Sequence, residues 1–520
     1  MGARGLLARL AGLPRAGWPA HEPAATVSLR RAVPRLSPGS PDRARAMYRG
    51  HCDLGGMTVT CPPLDLFATH LPPQAAAALH GLVWLRDFAT EPRALTSVMA
   101  RRLLAAWAET ARSPDPAVEA TALLNLTLDG PLLFAAATDD KLARLVASQA
   151  QRILGQRRHD VGLDLWQGVA LAHAVTVFSG LDTLRDAMEA RLSRGLAGFI
   201  LPDGAPLSRQ PAHLMELLSL LLPLRQAMFE ARLPVPAALH GALERMLPML
   251  RLLCHGDGGL ALFQGAASMT AEVAALLALD STQGKPLGLA AHAGFARLAQ
   301  GQALLVADTA TGGPHHSALA IEFSDGPHRI LSNCGSPRWG NADWHRAACS
   351  SLAHNTLSLG DDEAQASSSA AATLEHARAG SLLTMTAHHA QGVSHQRECF
   401  LSGNGQHLRV SDSLSQVPEG VSLRLHLHPT VRAQSFHQGE KFLLILPSRA
   451  VWEMEAAEVE MRLEDSVFMA GSEGPRRSQQ IVLRPRASAG PVTIRWALRK
   501  QGKPARARSE SQPELVTASD

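Results

Sequence analysis

Two hydrophobic rhythms divide this chain. Between about residue 74 and residue 295, Ala and Leu recur at three- and four-residue spacing between Pro and Gly punctuation. This predicts helices over 73–87, 92–112, 117–128, 137–154, 164–178, 181–200, 212–230 and 236–254. Helices of this length with short connections form hairpins that stack or close into a ring, and periodicity alone does not choose among a ring, a solenoid and a bundle. After about residue 299 the apolar positions fall in short β-branched or aliphatic runs between turns. Strands are predicted over 302–307, 319–323, 356–359, 381–388, 407–410, 421–428, 441–446, 459–463, 480–483 and 492–499. Many short strands at near-regular spacing predict an antiparallel sandwich. The expected organisation is a flexible leader (1–44), a helical domain (45–298), a β domain (299–500) and a disordered, charged and Ser-rich tail (501–520).

Composition changes this picture little. A chain of 520 residues exceeds one ordinary core, and 46% hydrophobic with 18% charged residues is the balance of a globular protein. The net charge of +4 suits an anionic ligand without requiring one. No uninterrupted apolar run is long enough for a transmembrane helix. The N-terminus is basic, yet Arg9 interrupts what would be the apolar core of a signal peptide, so the sequence reads as cytoplasmic. Six widely spaced cysteines without a CxxC fit reduced, buried thiols better than a disulfide framework or zinc ribbon. There is no phosphate loop, dinucleotide fingerprint or nucleophile elbow, and no patterned basic and aromatic surface for nucleic acid. Aromatic residues make up only 4%, which counts against a long aromatic-lined groove.

Polar chemistry concentrates in 314–363, which holds His315, His316, Asn333, Cys334, Trp344, His345, Arg346, His354 and Asn355. Strand-like runs over 318–323 and 328–331 flank Ser324-Asp325-Gly326, a tight hairpin signal that would fix these side chains on a rigid scaffold. Other motifs follow an ordered set along the chain. They are Leu201-Pro202-Asp203-Gly204, Ser208-Arg209, the run HGDGGLALF from His255, Asn333-Cys334-Gly335 and Ala353-His354-Asn355-Thr356-Leu357. Towards the C-terminus come His395-Gln396-Arg397, His426-Leu427-His428-Pro429 and Arg476-Arg477-Ser478-Gln479-Gln480.

This set resembles the heparinase II/III-like polysaccharide lyases over most of 45–500. The resemblance implies an N-terminal incomplete (α/α) toroid followed by a C-terminal antiparallel β-sandwich. It also implies β-elimination on an acidic, uronic-acid-containing polysaccharide, and a periplasmic setting for some relatives. Such a reaction must neutralise the uronate carboxylate, remove the weakly acidic C5 proton and protonate the departing O4. In the resembling lyases a Tyr with a His or Asn does this. Here the only tyrosine is Tyr48, and Ala212-His213 stands where the family carries a Tyr-His pair.

A histidine-based version is therefore expected. His255 or His213 is the base, Arg209 and Gln210 neutralise the carboxylate, and Asp257 orients His255. The competing reading makes His-Gly-Asp-Gly-Gly a turn that caps the helix ending near Cys254, with Asp257 bonded to backbone. Trp344, Arg346, His395 and Arg397 are candidates for binding sugar, against the commoner structural roles of such residues. No cofactor is needed for the chemistry. The resemblance implies a structural zinc in the β domain held by His315, Asn333 and His354, with a neutral amide in place of a carboxylate. Two alternatives stand beside the lyase: a catalytically impaired relative that binds an anionic envelope glycan or a protein partner, and a hydrolase pairing Asp203 with Asp257.

Overall fold

A computed structural model describes residues 27–502, apart from position 38 and short segments at 91–93, 111–112, 135–139, 157–159, 281–283, 338–341, 361–365, 390–391, 472–473 and 487–489. The first 26 residues of the expected leader, and all but two residues of the expected tail, lie outside the described residues. The chain divides into two compact units, Met1–Leu192 with Gln226–Pro234, and Ser193–Arg225 with Val235–Asp520.

The first unit is helical. Its capping chemistry is local: Ser40, Asp115 and Asp160 occupy N-caps, each accepting from a backbone N–H two or three residues on. Helices Pro116–Leu133 and Val161–Val177 are buried nearly all round, whereas Asp140–Leu154 has a polar outer face. Burying Pro116–Leu133 forces its polar residues to find partners. Arg35 donates to both oxygens of Asp129 (3.0 and 2.8 Å) and to Asn125 Oδ1 (2.7 Å), while Asn125 Nδ2 donates to Gly81 O. The helix expected over 73–87 is two, Pro73–His80 and Leu85–Thr90, because Gly81 and a left-handed Leu82 (φ 56°) end the first. The hairpin His51–Leu54 with Met57–Thr60 was not anticipated.

The second unit carries three antiparallel sheets. Five strands run in the order Leu289–Ala290, Phe295–Gln300, Ala303–Asp308, Ile321–Asp325, His328–Leu331. Four follow the order Leu357–Leu359, Val421–His426, Arg476–Pro485, Val459–Phe468. The eight-stranded sheet has the order Ala366–Ala377, Gly380–His389, Ser394–Ser402, His407–Leu414, Val492–Lys500, Val451–Ala457, Lys441–Ile445, Arg432–Phe436. Burial alternates along Ser394–Ser402 and His407–Leu414, so each turns one face to a shared core. Residues from all three sheets build that core, among them Phe323, Leu401, Trp452, Ile481 and Trp496, with the Phe323 and Trp452 rings edge to face at 5.1 Å.

Local differences from expectation have physical causes. The hairpin at 324–326 turns later than its sequence suggests. Ser324 and Asp325 remain in the strand Ile321–Asp325, Asp325 pairs with His328, and Gly326-Pro327 makes the turn with Gly326 at φ +56°. Ala366–Ala377 escaped notice because its Ala- and Ser-rich sequence has little β propensity; its ladder with Gly380–His389 makes it a strand.

Candidate functional site

The residues singled out by sequence divide into two groups in the second unit: those consumed by internal bonds and those left open.

Arg209 belongs to the first group. It has a left-handed backbone (φ 58°) just before the helix Pro211–Glu230, a conformation that costs a non-glycine residue free energy and persists only when the surroundings hold it. Its guanidinium supplies the hold, donating from Nε to Ala293 O (2.6 Å), from Nη1 to Gly312 O and from Nη2 to Asp308 Oδ1. Asp308 is fully buried, and its other oxygen accepts from Gln264 Nε2 (2.9 Å) and Ser317 Oγ (2.8 Å). Asp203 anchors the same segment by accepting from the N–H groups of His292 and Ala293 (2.8 and 2.7 Å). Arg209 is thus a clamp on its own loop and not a free carboxylate ligand.

His255 is also spent. Its Nε2 meets Glu322 Oε2 and its Nδ1 meets Ser324 Oγ, both at 3.0 Å, with no side-chain exposure. Burial, reinforced by the Arg329 cation, pushes its pKa below the ordinary histidine value, so it sits as a neutral ring between two fixed partners. Asp257 does not orient it. Asp257 accepts from Gly259 N (2.8 Å) and takes a bidentate pair from Arg329 (2.7 and 3.0 Å). Burial alone would raise the Asp257 carboxyl, and the Arg329 guanidinium overcomes it, leaving the pKa below its usual range. The capping-turn reading describes this geometry. Gly256 is required there, since a Cβ at that position would come within 2.0 Å of Gly326 O. Asp257 is spent on Arg329 and Gly259 N, and Asp203 Oδ2 on two backbone N–H groups while its Oδ1 is buried without a hydrogen bond among the described residues, an arrangement that does not favour the paired-carboxylate hydrolase.

The expected sugar-binding residues fare similarly. His395 and Arg397 are fully buried and share Asp412 Oδ1 (2.8 and 2.6 Å), and Arg397 Nη1 donates to Leu319 O (2.6 Å) and Asn355 O (2.9 Å). They brace the sandwich. Trp344 packs against the small apolar cluster of Cys334, Ala348, Ala353 and Met469, and Arg346 is exposed, paired with Asp343 one turn away (3.1 Å).

The expected zinc ligands offer two imidazoles and one amide as donors. His315 donates from Nδ1 to Ala348 O (2.9 Å), and His354 is buried with neither ring nitrogen hydrogen-bonded among the described residues. Burial, then the neighbouring His315 and His426, hold His354 well below its ordinary pKa, and two neutral imidazoles suit zinc. The third position does not. Asn333 Oδ1 is taken by Asn355 N (2.7 Å), and among the described residues no three His, Cys, Asp or Glu side chains are grouped to hold a metal. The donor set falls short of a closed zinc site. The Asn of Ala-His-Asn-Thr-Leu is instead a staple: Asn355 Nδ2 donates to Ile321 O (2.8 Å), and its Oδ1 accepts from His426 N (2.6 Å).

Gln210 and His213 remain. They flank Pro211 and Ala212 at the start of Pro211–Glu230, both half-exposed. His213 Nδ1 lies 2.8 Å from Ser208 Oγ. That oxygen also accepts from Gln210 N (3.4 Å), and in the tautomer that carries its proton on Nδ1 the imidazole donates to Ser208 Oγ and leaves the Nε2 lone pair unprotonated. Sequence reasoning missed Ser208, Asp308 and Glu322 as partners. The available signal was an acid within or closing an apolar strand, where an unpaired charge is not tolerated.

Comparison with known proteins bears on the fold. Residues 282–497 match the family domain described as Heparinase II/III-like, C-terminal. Residues 282–497 are thus similar to a heparinase II/III-like C-terminal domain. Among solved structures it is similar to heparinase III, with a TM-score of 0.69, 12% identity, and coverage of 91% of this chain and 86% of that one. It is also similar to the heparan sulfate lyase HepC from Pedobacter heparinus, with a TM-score of 0.62, 13% identity, and coverage of 92% and 85%. The fold of this chain is accordingly an N-terminal incomplete (α/α) toroid followed by an antiparallel β-sandwich, the fold class expected from sequence. Among curated proteins it is 29% identical over 493 residues to FtsZ-localized protein C of Caulobacter vibrioides, covering 84% of each chain. No described helix is long and apolar enough to cross a membrane.

Proposed function

We propose that this heparinase II/III-like protein cleaves an acidic, uronic-acid-containing polysaccharide by β-elimination, with His213 as the base and Gln210 as the carboxylate ligand. The observation that carries the reading is the Ser208 hydroxyl, which lies 2.8 Å from His213 Nδ1 and accepts from Gln210 N at the start of the helix Pro211–Glu230. Gln210 Nε2 donates to the uronate carboxylate, and the positive end of the 20-residue helix Pro211–Glu230 favours the same negative charge. This stabilises the enolate-like charge that forms as the C5 proton leaves. His213 Nε2 takes that proton while Ser208 Oγ holds Nδ1–H, the C4–O4 bond breaks, and the imidazolium returns the proton to O4. The products are an unsaturated uronate and a new chain end. The test is ultraviolet absorbance of the unsaturated product with heparan sulfate, heparin, hyaluronan, chondroitin and alginate. A signal abolished by His213→Ala in a folded protein supports the reading, and absence of signal on every substrate removes it.

A second reading keeps the scaffold and drops the chemistry. The single tyrosine, Tyr48, belongs to the first compact unit and closes the helix Pro41–Tyr48, and the curated relative is named for localisation with FtsZ. On this reading the chain accompanies FtsZ as a non-catalytic lyase-fold protein. Co-sedimentation with FtsZ polymers, together with silence in the absorbance assay, selects it.

A further inference from the structure

The eight-stranded sheet turns one face to the core, and its other face holds a groove of about 900 Å³ that none of the candidate site residues line. Its floor is set by register. Across neighbouring strands one row of outward positions reads Phe400, Arg409, Ala497, Glu455, and the adjacent row reads Glu398, Ser411, Arg495, Ala457. In the second row small residues alternate with long ones, and in the first Ala497 lies between Arg409 and Glu455, leaving depressions at Ser411, Ala497 and Ala457. Val459 and Met461 from the four-stranded sheet add apolar lining.

The charges decide what fits. Arg409, Arg486 and Arg495 line the groove, as do Glu398, Glu440 and Glu458, and none of the six forms an ion pair among the described residues. The remaining charges are taken: Lys441 pairs with Glu453 and Glu455, and Glu460 with Arg462. Arg409 is held in place, its guanidinium 4.6 Å from the Phe400 ring centroid. Three guanidinium forks facing three carboxylates would repel a polyanion and a polycation alike. A ligand that both donates and accepts without net charge satisfies both sets. The floor strands Ser394–Ser402, His407–Leu414, Val492–Lys500 and Val451–Ala457 are all interior to the sheet, so their backbone groups are already paired. An extended peptide would find no edge to join, and recognition must come from side chains.

We infer that this groove is a binding site for an uncharged oligosaccharide segment, its vicinal hydroxyls bridging the arginines and glutamates over the Ser411, Ala497 and Ala457 depressions. The site is separate from Gln210 and His213 and does not depend on lyase activity. Calorimetric titration of the full chain with maltohexaose, cellohexaose, chitohexaose and a heparan sulfate hexasaccharide tests it. At least one neutral hexasaccharide should bind with a Kd of about 1 mM or tighter. Ala497→Trp, which fills the floor, should weaken it at least about tenfold, as should Arg495→Ala, while His213→Ala leaves it unchanged. No binding by any neutral hexasaccharide, binding that both groove variants leave intact, or an Arg495-dependent preference for the sulfated hexasaccharide would each overturn the assignment. Because the readout is binding by His213→Ala protein as well as wild type, its failure is distinct from failure of the elimination chemistry.

Discussion

Arg209 and Asp308 form a buried ion pair that joins the loop before helix Pro211–Glu230 to the end of strand Ala303–Asp308. The pair fixes a left-handed backbone turn immediately before Gln210. Removing the acid leaves Arg209, only 11% exposed at its side chain, as an uncompensated cation. Asp308→Ala should therefore cost roughly 3–5 kcal/mol in unfolding free energy. Denaturant titration checks this, and a loss below about 1 kcal/mol would show that the clamp does not hold the loop.

The two candidate histidines should separate by phenotype. His213→Ala should lower turnover by about 10²- to 10⁴-fold with the thermal midpoint unchanged, as for loss of a general base. His255→Ala should act on stability, because it strips partners from the buried Glu322 and Ser324 at about 1–3 kcal/mol for each unsatisfied group. Thermal melts and initial rates on the same preparations distinguish them, and the converse pattern would return His255 to the chemistry.

Acid should destabilise the β domain in two steps. Burial, reinforced by Arg424, pushes the His426 pKa down to about 4, while its neutral ring meets Ser466 Oγ (2.8 Å) and Leu352 O (3.0 Å). The unfolded chain binds a proton near pH 6.5 that the folded chain refuses, so stability is full above that pH and falls as pH drops towards about 4. Asp412 behaves differently. Burial opposes its charge, but Arg397 and His395 hold its pKa down to about 2 from 3.8. Its contribution is present above about 4 and is lost as pH falls through about 2. Unfolding titrations from pH 7 to 2.5 should show both declines, with His426→Gln reducing the first, to which the buried His255 and His354 and the half-buried His428 also contribute.

Metal removal should change little. With Asn333 bonded to Asn355 and no third His, Cys, Asp or Glu grouped with His315 and His354 among the described residues, dialysis against EDTA should leave the melting midpoint unchanged. One equivalent of zinc, retained through purification and lost in His354→Ala, would overturn this.

The sequence was most informative where structure is local. Gln210 and His213 sit within one helical turn, and Ser208 reaches back to both, so spacing alone brings them together. His255 was misread because its partners, Glu322 and Ser324, come from a distant strand. As alternate residues they point the same way, and only the fold shows that they point at His255. Arg397 was misread for the same reason: an arginine on a strand reads as surface until Asp412 appears opposite it in the register. The longer helices of 94–253 followed periodicity well, while the hairpin at 51–60, the strands Ser394–Ser402 and Val451–Ala457, the Ala- and Ser-rich Ala366–Ala377 and the break at Leu82 did not, the last two because tertiary context overrides propensity.

The staple made by Asn355 bears on how relatives are counted. That one amide and its backbone tie Ile321, Asn333 and His426 together, so its role is complete before any sugar arrives. A survey that recognises chains by Ala-His-Asn-Thr-Leu sorts them by how their sheets are joined and is blind to turnover.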